Sequence, residues 1–425
     1  MPQYLDKKKL LIYAHYYYPD VASTGQILKE LAEGMLDVFD ITVICVVPSY
    51  IGSVTEYYKS KKYHFDNIDG VSIIRVRVPE FDKSDKRSRI MNILSYLFRA
   101  MWATTKVGKI DYVYSISQPP IIGGLLGIWG KVLKFAKSVY NIQDFNPEQI
   151  LATGYNKNTV VLYIMMLLDK WSCRCANKVI LVGRDMETTL VKRFNNKNVP
   201  DYSVINNWID EEKVYPLGKD NLGVIEFLDN YELNGKYIIM YSGNLGLYYD
   251  LINILKTISE IPQNVKTNDG REVRFVFVGS GSIKSDLEKI KNDLQLNNVV
   301  FIPYQEKEKL NYSLNAADVH WCVSAKSIKG VSVPSKIYGC MATAKPILGV
   351  LEVGSEARLI IEQTDCGLVC EPGNYESIKR NIMWFVNNSN TLETYKMGDN
   401  GRKYLEEFLK MTISINRYIQ EILTC

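Results

Sequence analysis

Hydrophobic positions along the chain fall into short continuous runs that alternate with stretches of helical periodicity. The runs at 9–14 and 41–47 are mostly apolar, as strands buried on both faces are. Between them, residues 26–38 carry apolar side chains at helical spacing, and Thr24 or Ser23 precedes that stretch as a helix cap. The sequence therefore predicts that the chain opens with a βαβ unit.

The same alternation continues through two successive halves of the chain. Further strands of the first half are predicted at 71–78, 112–116, 138–142 and 178–182. The pattern restarts at 237–242, and the later strands of the second half are predicted at 273–278, 299–302, 319–323 and 346–350. Strands that alternate with helices favour doubly wound parallel sheets, so we expect an α/β protein with two Rossmann-like domains.

The domain limits follow from a polar, turn-rich stretch at 206–230 that separates the two sets of strands. We expect a first domain at 1–206 and a second domain at 207–401. A final helix at 402–425 follows the second sheet and can pack back on the first domain. Because ligands of such sheets bind outside the carboxyl ends of the strands, we expect the site in a cleft between the two domains.

Glycine turns mark the carboxyl ends of two strands in the second half. Gly243, Asn244 and Gly246 belong to the first turn, and Gly279 and Gly281 belong to the second. Glycine lets a backbone approach a phosphate or a sugar closely, although such turns are also common where nothing binds. Two of them at the strand ends of one sheet favour nucleotide binding.

Two common nucleotide-binding fingerprints are absent from the sequence. The loop at 16–25 lacks the G-x-G-x-x-G pattern, and no G-x-x-x-x-G-K-[ST] occurs in the chain. These absences disfavour an NAD-dependent enzyme and a P-loop NTPase. Gly25 nevertheless lies at a helix start, where backbone amides can hold an anion, and an ordinary βα turn explains it equally well.

The segment at 330–346 combines several features of a diphosphate site. Pro334 suits the first turn of a helix, which would place Ser335 and Lys336 at its amino end. A hydroxyl, free backbone amides and a cation would then face one anion. A solvated lysine is the alternative, and the chemistry of these residues alone favours that alternative.

Eight sequence segments spread over nearly the whole chain form one ordered pattern. In this order they resemble retaining glycosyltransferases of family 4, which share the two-domain GT-B fold, and especially bacterial enzymes that build O-antigen, capsule or colanic acid. The segments are YYYPDVASTGQILKELA, SQPP, NIQDFNPEQILATG, VINNWIDEEKVYP, YSGNLG, FVGSGSIKSDLE, FIPYQEKEKLNYSLNAADV and VPSKIYGCMATAKPIL.

The resemblance implies that the second domain binds a nucleotide-diphosphate sugar as the donor substrate. Its donor-binding residues would contact the diphosphate, the base and the phosphates at the helix end. In this sequence they are Gly243, Asn244, Gly281, Ser335 and Lys336. Lys336 would also be catalytic, because a cation and helix amides stabilise the departing diphosphate.

The same resemblance assigns the acceptor to the first domain. Asp144, in a D-x-x-P-E-like motif, would be the second catalytic residue and lie near the reacting sugar. Thr24, Gly25 and Glu148 would line the acceptor side of the cleft. The implied reaction transfers a sugar, with retention, to a lipid-linked or saccharide acceptor in surface polysaccharide synthesis.

Two departures from the family pattern leave other functions open. The paired glutamates of the family are replaced here by Val331 and Gly339, and a basic residue after the first glycine turn is replaced within 248–250 (YYD). Ribose recognition is therefore not explained by the usual residues. A sugar-nucleotide epimerase of GT-B fold and a catalytically degenerate partner subunit are the alternatives.

Charge and the number of possible metal ligands limit which ligands and partners we expect for this chain. The chain has 51 basic and 47 acidic side chains and a net charge of +4, which gives no argument for nucleic acid. It has three histidines and no D-x-D triplet, so we expect no essential metal and no cofactor. Eight scattered cysteines favour reduced thiols in the cytoplasm, and no apolar run reaches the ~18–20 residues that span a bilayer.

Basic and apolar residues of the first domain also predict contact with a membrane. Residues 86–89 (KRSR) lead into an apolar helical stretch that ends near Trp102, and a second apolar stretch at 119–139 carries bases at 131, 134 and 137. Such faces suit an anionic bilayer surface, and two core helices with basic outer faces are the alternative. We expect a peripheral protein on the inner face of the plasma membrane.

Overall fold

A computed structural model describes residues 7–20, 22–50, 52–82, 85–152, 154 and 158–425, and it gives no account of the side chain of Ser23. The chain divides into two compact units. Unit 1 comprises Met1–Asn206 and Thr412–Cys425, and unit 2 comprises Asn207–Met411. Each unit is built on one sheet of mainly parallel strands, so the expected α/β architecture with two Rossmann-like sheets is confirmed.

Unit 1 holds eight strands and eight helices within its described residues. The strands are β1 (Lys8–Tyr13), β2 (Phe39–Val46), β3 (Tyr63–Ile68), β4 (Val71–Val76), β5 (Tyr112–Ile116), β6 (Lys137–Ile142), β7 (Lys178–Leu181) and β8 (Tyr202–Val204). Seven helices are α1 (Ser23–Gly34), α2 (Glu56–Lys59), α3 (Lys86–Lys106), α4 (Ile122–Lys134), α5 (Glu148–Ala152), α6 (Thr159–Cys175) and α7 (Asp185–Arg193). The sheet order is β3-β4-β2-β1-β5-β6-β7-β8, and only the pair β3 and β4 is antiparallel.

Unit 2 continues the numbering with six parallel strands. They are β9 (Tyr237–Ser242), β10 (Val273–Val278), β11 (Val299–Ile302), β12 (Val319–Val323), β13 (Ile347–Val350) and β14 (Gly367–Cys370), in the order β11-β10-β9-β12-β13-β14. The helices are α8 (Leu222–Asn230), α9 (Leu251–Ser259), α10 (Lys284–Asp293), α11 (Leu310–Asn315), α12 (Lys336–Ala342), α13 (Glu356–Thr364), α14 (Tyr375–Asn387) and α15 (Leu392–Phe408). Short 3-10 helices at Leu247–Tyr249 and Lys307–Lys309 complete the unit.

The helix α4 lies directly on the sheet of unit 1, with α3 and α6 on either side of it. The indole nitrogen of Trp129 donates a hydrogen bond of 3.1 Å to the carbonyl of Met101 in α3. On the other side, the ammonium of Lys131 donates to the carbonyl of Cys175 at 2.6 Å. Glycine permits the close approach to the sheet, because a Cβ on Gly127 would lie 2.4 Å from the Ser115 hydroxyl. The three helices therefore form one layer.

The last helix, α16 (Met411–Thr424), belongs almost entirely to unit 1. The phenol of Tyr418 is buried against Tyr114 and accepts a hydrogen bond of 3.1 Å from the side-chain amide of Asn141. Ser115 contacts α4, and its neighbour Tyr114 points to the opposite face of the strand. The helix α16 thus covers the face of the sheet opposite to α4.

The sequence interpretation was wrong at several element boundaries. A single helix from residue 402 onward is not found: α15 ends at Phe408 and α16 starts at Met411, so the chain passes from unit 2 to unit 1 at residue 412. The helix α1 begins at Ser23 rather than near Gln26, its cap position is Ala22, and no side chain caps it. The strands β3, β8 and β14 were not predicted: β8 and β14 have only three and four residues, and β3 is partly exposed and lacks a continuous apolar run.

Within the described residues, no helix has both the length and the apolar character needed to cross a bilayer.

Candidate functional site

The two glycine turns of unit 2 pack backbone against backbone at the carboxyl ends of β9 and β10. The amide of Gly243 donates to the carbonyl of Val278 at 2.9 Å, and the amide of Leu245 donates to the carbonyl of Ser280 at 2.9 Å. Gly279 has φ +141°, and a Cβ there would lie 2.0 Å from the carbonyl oxygen of Gly243. Only glycine fits this conformation and this contact. The two predicted glycine turns therefore pack together and form one double glycine turn.

Asn244 lies where the two turns meet. A Cβ on Gly281 would lie 2.6 Å from Oδ1 of Asn244 and 2.1 Å from the carbonyl oxygen of Leu245. The phenol of Tyr241, at the end of β9, donates a hydrogen bond of 2.6 Å to the carbonyl of Asn244. The structure thus brings together three residues that the sequence assigned to donor binding: Gly243, Asn244 and Gly281.

Lys336 extends over this double turn from the start of α12. Its Cε would lie 3.3 Å from a Cβ placed on Gly243. Its ammonium nitrogen lies 3.7 Å from the ring centroid of Tyr249 and 4.9 Å from that of Tyr241. Among the residues that the structure describes, no carboxylate forms an ion pair with it. The ammonium rests on aromatic faces at a glycine-rich backbone, an arrangement that can bind an anion without breaking a salt bridge.

The helix after the glycine turns starts later than the sequence suggested. Pro334 precedes α12 instead of lying in its first turn, and Ser335 occupies the cap position with φ −60° and ψ −17°. The hydroxyl of Ser335 makes no capping hydrogen bond. It is therefore not used by the helix itself and remains a candidate ligand group beside Lys336.

The positions of the two missing glutamates are packed with apolar groups. Val331 is buried, and Gly339 is buried in the middle of α12. A Cβ on Gly339 would lie 3.3 Å from Cδ1 of Leu314 and 3.6 Å from Cδ1 of Ile209. A carboxylate at residue 339 would meet these aliphatic groups, so this chain cannot use that position to bind a ribose.

The sequence analysis did not identify Glu356, a buried carboxylate that follows the carboxyl end of β13 in the sheet of unit 2. Glu356 is 1% exposed and begins α13, shortly after β13. Ser355 before it is also buried, and its hydroxyl has no hydrogen-bond partner within the described part of the chain. A Ser-Glu pair just before an apolar helical run is a sequence signal for a helix start, which would have marked the position but not its burial.

Asp144 lies half-buried after the carboxyl end of β6 in unit 1. Its carboxylate accepts a hydrogen bond of 3.0 Å from the side-chain amide of Gln118. Its backbone amide and that of Gln143 donate to the hydroxyl of Ser117, at 3.3 and 3.1 Å. The segments SQPP and NIQDFNPEQ therefore meet at one point, where Gln118 is one of the partners of the Asp144 carboxylate.

Glu148 is engaged in an ion-pair network below that loop. Both of its carboxylate oxygens accept hydrogen bonds from the buried guanidinium of Arg193, which also pairs with the buried carboxylate of Asp169. Arg193 donates to the carbonyl of Asn146 at 2.7 Å and lies 4.3 Å from the ring centroid of Phe145. Glu148 and Arg193 therefore hold the loop that carries Asp144 in place. The sequence analysis expected Glu148 to contact the acceptor instead.

Thr24 and Gly25 lie in the first turn of α1, beside the loop that follows β1. A Cβ on Gly25 would lie 3.1 Å from the carbonyl oxygen of Tyr16. The loop itself is held by Asp20, whose carboxylate accepts from the amides of Ser49 and Tyr50 at 3.2 and 3.0 Å. Both predicted residues are thus at the carboxyl edge of the unit 1 sheet, two strands away from β6.

No group of three or more histidine, cysteine, aspartate or glutamate side chains is arranged to hold a metal ion in the described part of the chain.

The chain is similar to several known proteins. Residues 226–404 match the family model described as glycosyl transferases group 1. The probable glycosyltransferase WbjE of Pseudomonas aeruginosa is 26% identical over 347 residues, which cover 80% of this chain and 82% of that protein. The putative colanic acid biosynthesis glycosyl transferase WcaI of Escherichia coli K12 is 22% identical over 433 residues, covering 97% of this chain and 99% of that protein.

Solved structures show the same fold at low sequence identity. The structure of HepE from Anabaena in complex with UDP and glucose matches with a TM-score of 0.70 and 13% identity, over 98% of this chain and 99% of that chain. The resemblance inferred from the eight sequence segments is confirmed at the level of fold and enzyme class. This chain is a glycosyltransferase of the GT-B fold.

Proposed function

We propose that this enzyme transfers a sugar from a nucleotide-diphosphate donor to a lipid-linked or saccharide acceptor, with retention of the anomeric configuration, in surface polysaccharide synthesis. The name of WcaI, which places that relative in colanic acid biosynthesis, supports the pathway, and the UDP and glucose bound to HepE support the donor class. The observation that carries the donor site is the Lys336 ammonium lying over the double glycine turn without a carboxylate partner in the described residues.

In the proposed donor complex the diphosphate occupies the space beside Gly243 and Asn244, with Ser335 and Lys336 as its other ligands. Gly281 lies where a base would approach the second turn. The ammonium of Lys336 neutralises the charge that develops as the bond between the sugar and the diphosphate breaks. No metal or cofactor takes part in this proposal.

Ribose recognition is assigned to the start of α13. Val331 and Gly339 offer no carboxylate, whereas Glu356 is a buried carboxylate at the same sheet edge and Ser355 has a hydroxyl with spare bonding capacity. A carboxylate has about four acceptor sites, so Glu356 can accept hydrogen bonds from ribose hydroxyls beside the interaction that it already makes in this structure. We expect Glu356→Gln to raise the KM for the donor more than it lowers kcat.

Asp144 is the proposed catalytic group of unit 1. The acceptor oxygen attacks the anomeric carbon on the face from which the diphosphate leaves, and its proton passes to Asp144 or to the departing phosphate. The carboxylate can also stabilise positive charge on the sugar in the transition state. Glu148 keeps its place as a residue of the acceptor side, acting through Arg193 on the loop that carries Asp144, and Thr24 and Gly25 line the same sheet edge.

The proposed location is the inner face of the plasma membrane, with the first unit against the lipid. Bases along α3 and in the last turn of α4 suit an anionic surface, which would hold a lipid-linked acceptor beside the unit that takes it. All eight cysteines are unpaired, which supports a reducing compartment.

Product analysis with the purified protein tests the proposal. A thermal-shift screen of nucleotide diphosphates first selects the base, because a ligand of the native state raises its melting temperature. The matching nucleotide sugars are then incubated with lipid-linked and saccharide acceptors, and NMR reads the anomeric configuration of the product. We expect a retained linkage that depends on acceptor and is lost in Asp144→Asn at unchanged nucleotide affinity.

Three results would contradict the proposal. An inverted linkage would remove the retaining mechanism. An epimerised nucleotide sugar formed from donor alone would favour the epimerase. Full activity in Asp144→Asn would remove that residue from the chemistry.

A further inference from the structure

A stripe of large apolar side chains runs along the outer face of α6. Four of its members are Tyr163, Ile164, Leu167 and Trp171, which are 64%, 50%, 47% and 50% exposed. Val160, one turn before them, is 64% exposed. The buried residues of α6, which include the ion-paired Asp169, lie on the other side of the helix. A helix on a domain surface normally turns its polar side to water, and this one does the reverse.

The stripe continues across the helix layer of unit 1. Hydrogen bonds join α4 to the carbonyls of Met101 in α3 and Cys175 in α6, so the three helices lie side by side. On α3 the exposed large apolar residues are Ile90, Met91, Leu94, Phe98 and Trp102, and on α4 Val132 is 65% exposed. An apolar patch that spans three neighbouring helices is larger than isolated surface residues produce, and it indicates an interaction surface.

The charges on this layer point to one kind of partner. Asp169 is the only acidic residue in α3, α4 and α6, all of whose residues are described, and it is buried and paired with Arg193. The basic residues of the three helices are Lys86, Arg87, Arg89, Arg99, Lys106, Lys131, Lys134, Lys170 and Arg174. An apolar face with bases and no exposed acid complements an anionic lipid surface, which offers hydrocarbon beneath negative headgroups.

Two exposed tryptophans on the layer have basic residues near them, Trp102 in space and Trp171 in sequence. Trp102 has the ammonium of Lys106 at 5.3 Å from its ring centroid. Trp171 lies between Lys170 and Arg174 in sequence, and both of these bases lie near the ring of Phe194. Indole rings prefer the headgroup level of a bilayer, where basic neighbours can reach the phosphates.

We propose that the outer face of α3, α4 and α6 docks on an anionic bilayer and that the α6 stripe is the part that enters the lipid. This inference deepens the membrane attachment within the proposed function, since it names the inserting element. The sequence analysis assigned membrane contact to the stretches that became α3 and α4 and not to α6. Attachment is peripheral, because the stripe covers only one side of a helix that packs on the protein with the other.

Co-sedimentation with vesicles of phosphatidylglycerol and phosphatidylcholine tests the proposal. The triple variant Ile164→Ser, Leu167→Ser, Trp171→Ser removes the centre of the stripe without touching the residues proposed for chemistry. A matched control, Leu222→Ser, Leu392→Ser, Tyr395→Ser, removes three exposed apolar residues of unit 2. We expect the stripe variant to bind the vesicles at least about tenfold more weakly than the wild type. The control should bind them as the wild type does.

A second measurement keeps the inference testable if the triple variant unfolds. Brominated lipids quench tryptophans that enter the bilayer, and Trp171→Phe should abolish most of that quenching in an otherwise intact protein. Quenching that persists in Trp171→Phe and disappears in Trp102→Phe would show that α3 alone contacts lipid, which overturns the role of α6.

The remaining outcomes are equally informative. If the stripe variant converts a dimer to a monomer in sedimentation velocity and still binds vesicles, a second copy covers the stripe and the proposal fails. If the protein binds vesicles through α6 but transfers no sugar, the membrane inference stands and the proposed function fails.

Discussion

At the scale of single residues, the ammonium of Lys336 has the simplest chemistry to test. Its aromatic contacts balance little of its charge, so a diphosphate would gain a charge-assisted contact there. We expect Lys336→Ala to lose about 1.5–3 kcal/mol of donor binding, or roughly ten- to hundredfold in affinity, measured by calorimetry with the nucleotide diphosphate. Lys289→Ala, at an exposed position of α10, is the control. Equal affinity in both variants would remove Lys336 from the site.

His320 gives a prediction about pH. It is buried in β12, where burial lowers its pKa to about 4. In the unfolded chain the imidazole takes up a proton as the pH falls below 6.5, whereas in the native protein it stays neutral down to about pH 4. Protonation therefore favours the unfolded state, so the free energy of unfolding is highest above pH 6.5 and falls as the pH drops. We expect the loss to reach at most about 1.4 kcal/mol per pH unit from this group, measured by urea unfolding between pH 7 and pH 5.

The variant His320→Gln isolates that contribution, because glutamine does not titrate and its side-chain amide can reach the carbonyl of Leu314, which lies 3.0 Å from Nε2 of the imidazole. Its stability should depend less on pH than that of the wild type. His15 in unit 1 has its pKa lowered to about 4 by burial in the same way, so some acid sensitivity should persist in the variant. Identical slopes for both proteins would contradict the assignment.

At the scale of elements, the backbone of the double glycine turn shapes the proposed donor site. We expect Gly279→Ala to destabilise unit 2 by about 2 kcal/mol or more, since the residue has φ +141° and its Cβ would lie 2.0 Å from a carbonyl oxygen. Guanidinium unfolding with nucleotide binding on the same samples measures both effects. Gly270→Ala, with φ +85° and open space around the Cβ, should cost only the backbone strain of about 1–2 kcal/mol.

A Gly279→Ala protein as stable as the Gly270→Ala protein would mean that the two turns can separate. The double turn would then be flexible, and its glycines would serve a ligand rather than the fold.

At the scale of the whole molecule, the last helix ties the end of the chain to unit 1. It buries Ile415, Tyr418 and Ile422, and Arg417 donates to the carbonyl of Val204 at 2.7 Å. We expect a chain that stops at Met411 to lose roughly 5–9 kcal/mol of unit 1 stability, from burial of three large side chains. That is comparable with the whole stability of a domain. Calorimetry should then show unit 2 melting normally and unit 1 melting at a much lower temperature or not at all.

Two further variants distinguish the contribution of the Tyr418 hydroxyl from that of its aromatic ring. Tyr418→Phe removes the hydroxyl with its hydrogen bonds to Asn141 and Tyr114 but keeps the ring, so it should be milder than Tyr418→Ala, which also leaves a cavity. Normal melting of unit 1 in the truncated chain would show that α16 is dispensable.

The sequence by itself determined the α/β class, the restart of the pattern and most of the buried strands. Largely apolar runs such as those that became β1, β9 and β10 are typical of strands in a sheet covered on both faces, so they are recognisable without any tertiary information. It also determined the enzyme class, because eight ordered segments carry more information than any one glycine turn. Edge strands such as β3 carry no such signal, since one side of them faces water.

Only the tertiary structure decided which residues meet. Gly243 and Gly279 are far apart in the chain, yet their backbones touch, and Lys336 reaches them from another helix. It also decided that Glu148 is bound by Arg193, that the buried Glu356 lies at the edge where the expected glutamates are missing, and that α6 turns its apolar side outward. Periodicity reports that a helix has an apolar face but not whether a neighbour covers it, because that depends on contacts between residues distant in sequence.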